Sequence, residues 1–254
     1  MKQIFRNLIV IVAMVLITIP SFGWGRRVHA TIAYIAEQNL TPQAKKVVDE
    51  ILEGKTMSYY ASWLDYYRAE MQITYTEDGV TYPRNIPHSF KVDKDCKVFA
   101  QDHQEALDII GECMDLLKDW ENADPKMRLG AMQCIIHLVG DIHCPGHVKF
   151  PDGRAGDGLG QGKYDVTFFG KKTSMHTVWD SQVVDFLSYG GVVDLAAMVG
   201  TVSKKEMKEI QAGDLYDWGQ DIADRAKTVW PVEPGSEVGK EYCHRVSETT
   251  FDLI

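Results

Sequence analysis

The sequence has no excess of basic residues. Its 27 lysines and arginines face 36 aspartates and glutamates, a formal charge of −9. A chain of that sign lacks the basic patch that ordinarily grips a nucleic-acid backbone. A role in handling phosphate would need positive charge from another source, and metal ions are the obvious one. Long hydrophobic runs are missing too. The one candidate, Leu8 to Ile19, falls short of the about 20 residues that a membrane span needs. No low-complexity tract, no glycine-rich or proline-rich linker and no repeat of roughly 20–50 residues is present, which excludes a disordered chain and a solenoid. Cysteine is scarce: Cys96, Cys113, Cys134, Cys144 and Cys243 make five, an odd number that leaves at least one unpaired.

What is present suits a soluble globular protein. Of the 254 residues, 45% are hydrophobic and 25% charged, enough to build one sizeable core. Residues 1–23 read as a signal peptide: Lys2 and Arg6, then the apolar run, then Pro20-Ser21-Phe22-Gly23 with small residues placed for a cut after Gly23. Cleavage would remove two basic and no acidic residues, leaving −11 on a single domain, 24–254, that begins at Trp24. The expected location is secreted or periplasmic, where disulfides are permitted.

The pattern beyond Trp24 predicts an all-α domain with one small hairpin. Ile32, Ile35 and Ala36 share a face of a helix from Ala30 to Leu40. Thr41-Pro42 caps and opens a second helix, closed at Gly54. Further helices are expected over Tyr59–Ala69, Gln101–Trp120, Asp124 to about Cys144, His176–Leu187, Val192–Val199, Lys204–Gln211 and Leu215–Val229. Residues 71–100 look irregular, Gly153 to Gly162 form a glycine-rich loop, and Tyr164 to Gly170 suggest a hairpin.

Histidines carry the chemistry. In His137-Leu-Val-Gly-Asp141-Ile-His143-Cys-Pro145-Gly-His147, a helical turn of about 100° per residue puts His137 and Asp141 on one face. His143 points elsewhere. Pro145 and Gly146 end the helix, which frees His147 to swing back. The segment is apolar, so a buried His and Asp need partners, either a metal or each other. His176-Thr-Val-Trp-Asp180 repeats the spacing. Imidazole and carboxylate are the donors that zinc accepts. Three shorter pieces accompany them: Ala61-Ser-Trp-Leu-Asp65-Tyr-Tyr-Arg68, Pro87-His88-Ser-Phe90-Lys-Val-Asp93, and Trp24-Gly-Arg-Arg-Val-His29. Alone, each has a plain reading: a helical salt bridge, a capped loop histidine, a chain terminus. A terminal amine freed at Trp24, with its carbonyl oxygen, can also chelate a metal.

Taken in order, the pieces resemble the three-zinc single-strand nucleases, the type I family that includes mung bean nuclease. That family shows Trp-Gly with a His five residues on, Ala-Ser-Trp-x-Asp-x-x-Arg, His-x-x-Gly-Asp-Ile-His-x-Pro-x-His, and a glycine-rich loop and hairpin before His-x-x-x-Trp-Asp. The resemblance implies three Zn²⁺ ions. One would be held by Asp65, His88, His137 and Asp141, a second by His147, His176 and Asp180, and a third by the Trp24 amine and carbonyl with His29 and Asp141. It implies hydrolysis of single-stranded DNA or RNA to 5′-nucleotides, with 3′-nucleotidase activity, Asp65 orienting the nucleophile and Arg68 neutralising phosphate oxygens. His103, His143 and His244 are left as non-ligands. No membrane after cleavage and no obligate protein partner is expected.

Two departures stand out. The family has an aromatic residue directly after the histidine matched by His88, which stacks on a base, and an Asp two residues further. Here Ser89 intervenes, so Phe90 and Asp93 are the displaced candidates for substrate binding. Cys144 stands at an ordinarily polar position, as a disulfide partner or a free thiol near zinc. Two other readings are a zinc-dependent phospholipase C, which shares His-x-x-x-Asp but ends its set with Glu, and a non-catalytic zinc-binding protein, for which Asp65 and Arg68 would have no use.

Overall fold

Asp124 and Pro125 start the helix around which the molecule is arranged. The Asp124 carboxylate accepts from the backbone N–H groups of Lys126 and Met127, and Pro125 occupies the first turn, where no donor is needed. The computed structural model describes residues 24–67, 74–77, 80–83, 86–100, 105–151, 164–229 and 232–254. The expected signal segment 1–23, Arg68, His103 and the glycine-rich loop fall outside the described residues.

Helices dominate, as the hydrophobic spacing predicts. They run α1 Arg26–Gln38, α2 Pro42–Ile51, α3 Met57–Tyr60, α4 Trp63–Tyr67, α5 Ala106–Leu117 and the central α6 Pro125–Ile142. After a 3-10 turn at Pro145–His147 come α7 Met175–Thr177, a π-helical turn Val178–Gln182, and α8 Val183–Leu187. Then follow α9 Val192–Val199, α10 Lys204–Ile210, α11 Leu215–Val229, α12 Lys240–Arg245 and α13 Ser247–Asp252. The expected single helix over His176–Leu187 is thus three pieces, because the backbone widens by a residue per turn at Asp180.

The strands are short but more numerous than one hairpin. Thr74–Glu77 (β1) pairs antiparallel with Val80–Pro83 (β2), within a stretch expected to be irregular; alternating Thr and Tyr suit a strand there. Asp165–Phe168 (β5) and Lys171–Ser174 (β6) form the expected hairpin, extended by Glu237–Val238 (β7) parallel to β5. Phe90–Lys91 (β3) lies parallel to Val148–Lys149 (β4), and the buried Glu105 carboxylate clamps the pair, binding Lys91 and Lys149 at 3.0 Å each.

α6 is buried on nearly all sides. Gly130, Ala131, Cys134, Ile136 and Leu138 pack within the protein, and α1, α2, α3, α4 and α5 contact it. A helix surrounded this way can hold polar side chains only if each is partnered. No single helix among the described residues is long and apolar enough to cross a membrane. Cys96, Cys113, Cys144 and Cys243 are free thiols.

Candidate metal centre

α6 delivers His137 and Asp141 one turn apart, both fully buried. Four other elements bring donors to that point. α4 supplies Asp65, whose Oδ1 lies 3.4 Å from His137 Nε2 and 3.7 Å from His88 Nδ1. The loop before β3 supplies His88, with Nδ1 2.8 Å from Asp141 Oδ2. α1 supplies His29, with Nε2 3.3 Å from Asp141 Oδ1, and the 3-10 turn supplies His147, with Nδ1 3.6 Å from the same oxygen. One Asp141 oxygen therefore faces His88 and His137, and the other faces His29 and His147. His176 and Asp180 form an adjoining pair, Nε2 to Oδ2 at 3.3 Å, and His147 Nε2 lies 4.0 Å from Asp180 Oδ1.

Local physics explains why these side chains converge. The β3–β4 pairing lays the His88 loop beside the His147 turn, and the His147 Nδ1–H donates to the His88 carbonyl. Gly140 lets α1 press against α6. A Cβ there would sit 2.7 Å from His29 Nδ1, inside van der Waals contact. The His29 ring consequently stacks on His137, with centroids 4.2 Å apart and planes 15° off parallel. The Gly25 N–H donates to the Asp180 carbonyl, which ties Trp24 and the start of α1 to the second pair; the Trp24 ring packs edge-on against Trp179.

The tautomers follow from the backbone. His137 Nδ1 lies 2.7 Å from the Ala61 carbonyl, and His176 Nδ1 lies 3.2 Å from the Gly146 carbonyl. A carbonyl only accepts, so these nitrogens carry protons, which leaves Nε2 as the atom each ring turns towards the cluster. This is the orientation that metal-binding imidazoles adopt. Hydrogen bonds do not satisfy the interior: His29 Nε2, His147 Nε2, Asp65 Oδ1 and both Asp141 oxygens are buried without one. Short ion-pair contacts surround them instead: Asp141 Oδ2 lies 2.8 Å from His88 Nδ1 and 3.0 Å from His137 Nε2.

Charge is redistributed accordingly. Burial penalises the charged form of Asp141, but the imidazoles of His137, His147 and His88 outweigh it and hold its carboxyl well below the usual range. Burial also disfavours protonated His137, but the Asp141 and Asp65 carboxylates reverse that and lift it to about 10. His147 is pushed down to about 3, by burial first and then by His176 and His88 against the pull of Asp141. His29 is lowered by burial and by His137.

Among the described residues three groups have their donor atoms within 4.8 Å of one another: His29 with His137 and Asp141; Asp65 with His88 and His137; Cys144 with His147 and Asp180. The chain from Trp24 to Phe251 matches the family model of the S1/P1 nucleases. The chain belongs to the S1/P1 nuclease family. It is 25% identical over 236 residues to nuclease S1 of Aspergillus oryzae, covering 86% of this chain and 76% of that protein. Endonuclease 2 of Arabidopsis thaliana is 25% identical over 196 residues, 72% of this chain and 64% of that one. Nuclease P1 of Penicillium citrinum is 28% identical over 169 residues, 62% of this chain and 57% of that one.

The sequence-predicted residues divide. The structure gathers His29, Asp65, His88, His137, Asp141, His147, His176 and Asp180. It does not gather Phe90 and Asp93. Phe90 is 1% exposed in the core, with no face open to a base. Asp93 closes a turn, accepting from the backbone N–H groups of Asp95 and Lys97. Outside the cluster, His143 Nδ1–H donates to the Val139 carbonyl, and His244 lies edge-on to Phe186. Gly140 and Glu105 position the site without signalling it, since a clearance and a clamp across the chain have no local motif.

Proposed function

We propose that this protein is a zinc-dependent phosphodiesterase that hydrolyses single-stranded DNA or RNA to 5′-nucleotides and also removes phosphate from 3′-nucleotides. The observation that carries the reading is the set of buried carboxylate oxygens and imidazole nitrogens with no hydrogen bond at the heart of the protein. Nitrogen and oxygen donors in that arrangement suit Zn²⁺. Three ions are proposed, one held by Asp65, His88, His137 and Asp141, one by His147, His176 and Asp180, and one by His29, Asp141 and the amine and carbonyl of Trp24. The Trp24 amine exists only after cleavage at Gly23, so export is part of the proposal, to the periplasm or the exterior.

When bound, zinc acidifies water from about 16 to about 7 and neutralises charge on phosphate oxygens, which a chain of net −9 cannot do alone. The chain's own residues do the rest. Asp65, at the rim of the cluster on α4, accepts a proton from the attacking water and aims it in line with the scissile bond. Asp141 divides its two oxygens between neighbouring donor groups and so sets their spacing. The Nδ1–H bonds of His137 and His176 to backbone carbonyls lock ring orientation. Arg68 follows Asp65 on the chain and is assigned the non-bridging phosphate oxygens.

The deciding experiment measures phosphate release from single-stranded DNA, from RNA and from a 3′-nucleotide, before and after chelation and after zinc is returned. Loss on chelation and recovery with zinc are expected. Turnover that survives in metal-free protein, or turnover of a choline phospholipid in place of nucleic acid, overturns the reading.

A further inference from the structure

Cys144 lies where a bystander thiol has no reason to be. It is fully buried between Asp141 and His147, its N–H donating to the Asp141 carbonyl and its carbonyl accepting from the His147 N–H, each at 2.9 Å. Its Sγ stands 4.0 Å from Asp180 Oδ1, and sulfur, His147 nitrogen and Asp180 oxygen all lie within 4.8 Å of one another. Gly146 keeps that side open: a Cβ there would come 3.2 Å from His176 Nδ1 and 3.5 Å from the sulfur. The sulfur is bonded to no other cysteine. Independently, His147 Nε2, on a residue 2% exposed, has no hydrogen bond and is aimed into the same space.

We propose that Cys144 is a fourth protein donor to the second metal position, beside His147, His176 and Asp180. The inference rests on the metal-centre reading above and adds a ligand that reading does not contain. Binding releases the thiol proton to solvent and moves no electrons. Two nitrogens, one oxygen and one sulfur are a donor set that a closed zinc site would accept, whereas three protein donors would leave one position for water or substrate. The second position would therefore hold its ion tightly and exchange water little. The open chemistry would fall to the positions built on Asp141.

Cobalt substitution tests this. Metal-free protein loaded with Co²⁺ should show visible ligand-field bands and, in the near ultraviolet, a sulfur-to-cobalt charge-transfer band. Cys144→Ser should lose the near-ultraviolet band and keep the visible ones, while Cys96→Ser, which alters the one cysteine that is not fully buried, should change neither. Visible bands without the charge-transfer band in the unaltered protein overturn the Cys144 assignment alone; so does a band that survives in Cys144→Ser. No cobalt bands of any kind overturn the metal centre and the ligand with it. A measurement needing no variant is X-ray absorption of the zinc-loaded chain, which should show a sulfur shell at about 2.3 Å; only nitrogen and oxygen neighbours would refute it.

Discussion

The two halves of the candidate metal centre are built differently. The half around His137 sits on regular helix: His137 and Asp141 share one face of α6, α1 and α4 press on either side, and nitrogen–oxygen separations run from 2.8 to 3.7 Å. The half around Asp180 sits on irregular backbone, a proline-led 3-10 turn and a π-helical turn, and its separations run from 3.3 to 4.0 Å. Regular spacing makes a tight, charge-balanced cluster. Irregular turns admit a sulfur and a looser set. A chain can thus place two chemistries a few ångströms apart by changing only how the backbone ends.

The largest expected effect comes from breaking the half on regular helix. Asp141→Asn removes the carboxylate that both neighbouring donor groups share, and loss of a fully buried ionic partner costs about 3–5 kcal/mol. Activity should vanish, and histidine titration by NMR should find His137 lowered relative to the unaltered chain, because the carboxylate that raises it is gone. A His137 titration unchanged by the substitution would show that Asp141 does not govern this half.

Next comes the clearance at Gly140. Gly140→Ala should cost about 1–3 kcal/mol in urea unfolding, because the new methyl meets His29 Nδ1 at 2.7 Å. It should also lower bound metal without touching the Asp180 half. Full metal content with wild-type stability would show that α1 can shift freely.

Acidity acts in opposite directions on His147 and His137. In the metal-free chain, His147 has a folded value of about 3 against 6.5 unfolded. Below pH 6.5 the unfolded chain takes a proton that the folded chain refuses, so stability falls as pH drops from 6.5 towards 3. The lowered Asp141 acts in the same direction at the acid end, its contribution present above 3.8 and lost as pH falls through its folded value. His137, raised to about 10, is the opposite: its contribution is complete below 6.5 and is lost as pH climbs to 10. Urea midpoints for metal-free protein should therefore peak near pH 6.5. A midpoint that climbs steadily to pH 9 would contradict the assignment for His137.

The smallest effect belongs outside both halves. Asp93→Ala should lower the urea midpoint only slightly, through the lost turn bonds to Asp95 and Lys97, and leave KM for nucleic acid unchanged. A raised KM would restore Asp93 to the substrate site.

Legibility in the sequence tracks the same division. Helices with clean periodicity appear where expected: Asp124-Pro125 starts α6, and α9 and α11 keep their predicted limits. The i, i+4 pairs His137–Asp141 and His176–Asp180 were readable because helix geometry converts spacing directly into a shared face. Phe90 and Asp93 misled, because spacing along a loop says nothing about which side is buried; Phe90 joined the core and Asp93 the turn. The extra hairpin at β1–β2 and the π turn also escaped, being set by pairing and packing rather than by a local period.

By itself the sequence determined the helical class, the candidate donor residues and their order along the chain, since each depends on interactions spanning a few neighbours. Only the tertiary structure decided which donors meet, how Asp141 divides its oxygens, that Gly140 is a clearance, and that Cys144 stands as a free thiol beside Asp180. Those are distances between segments far apart on the chain. They are set when burying the apolar faces leaves the polar atoms a single common place to converge.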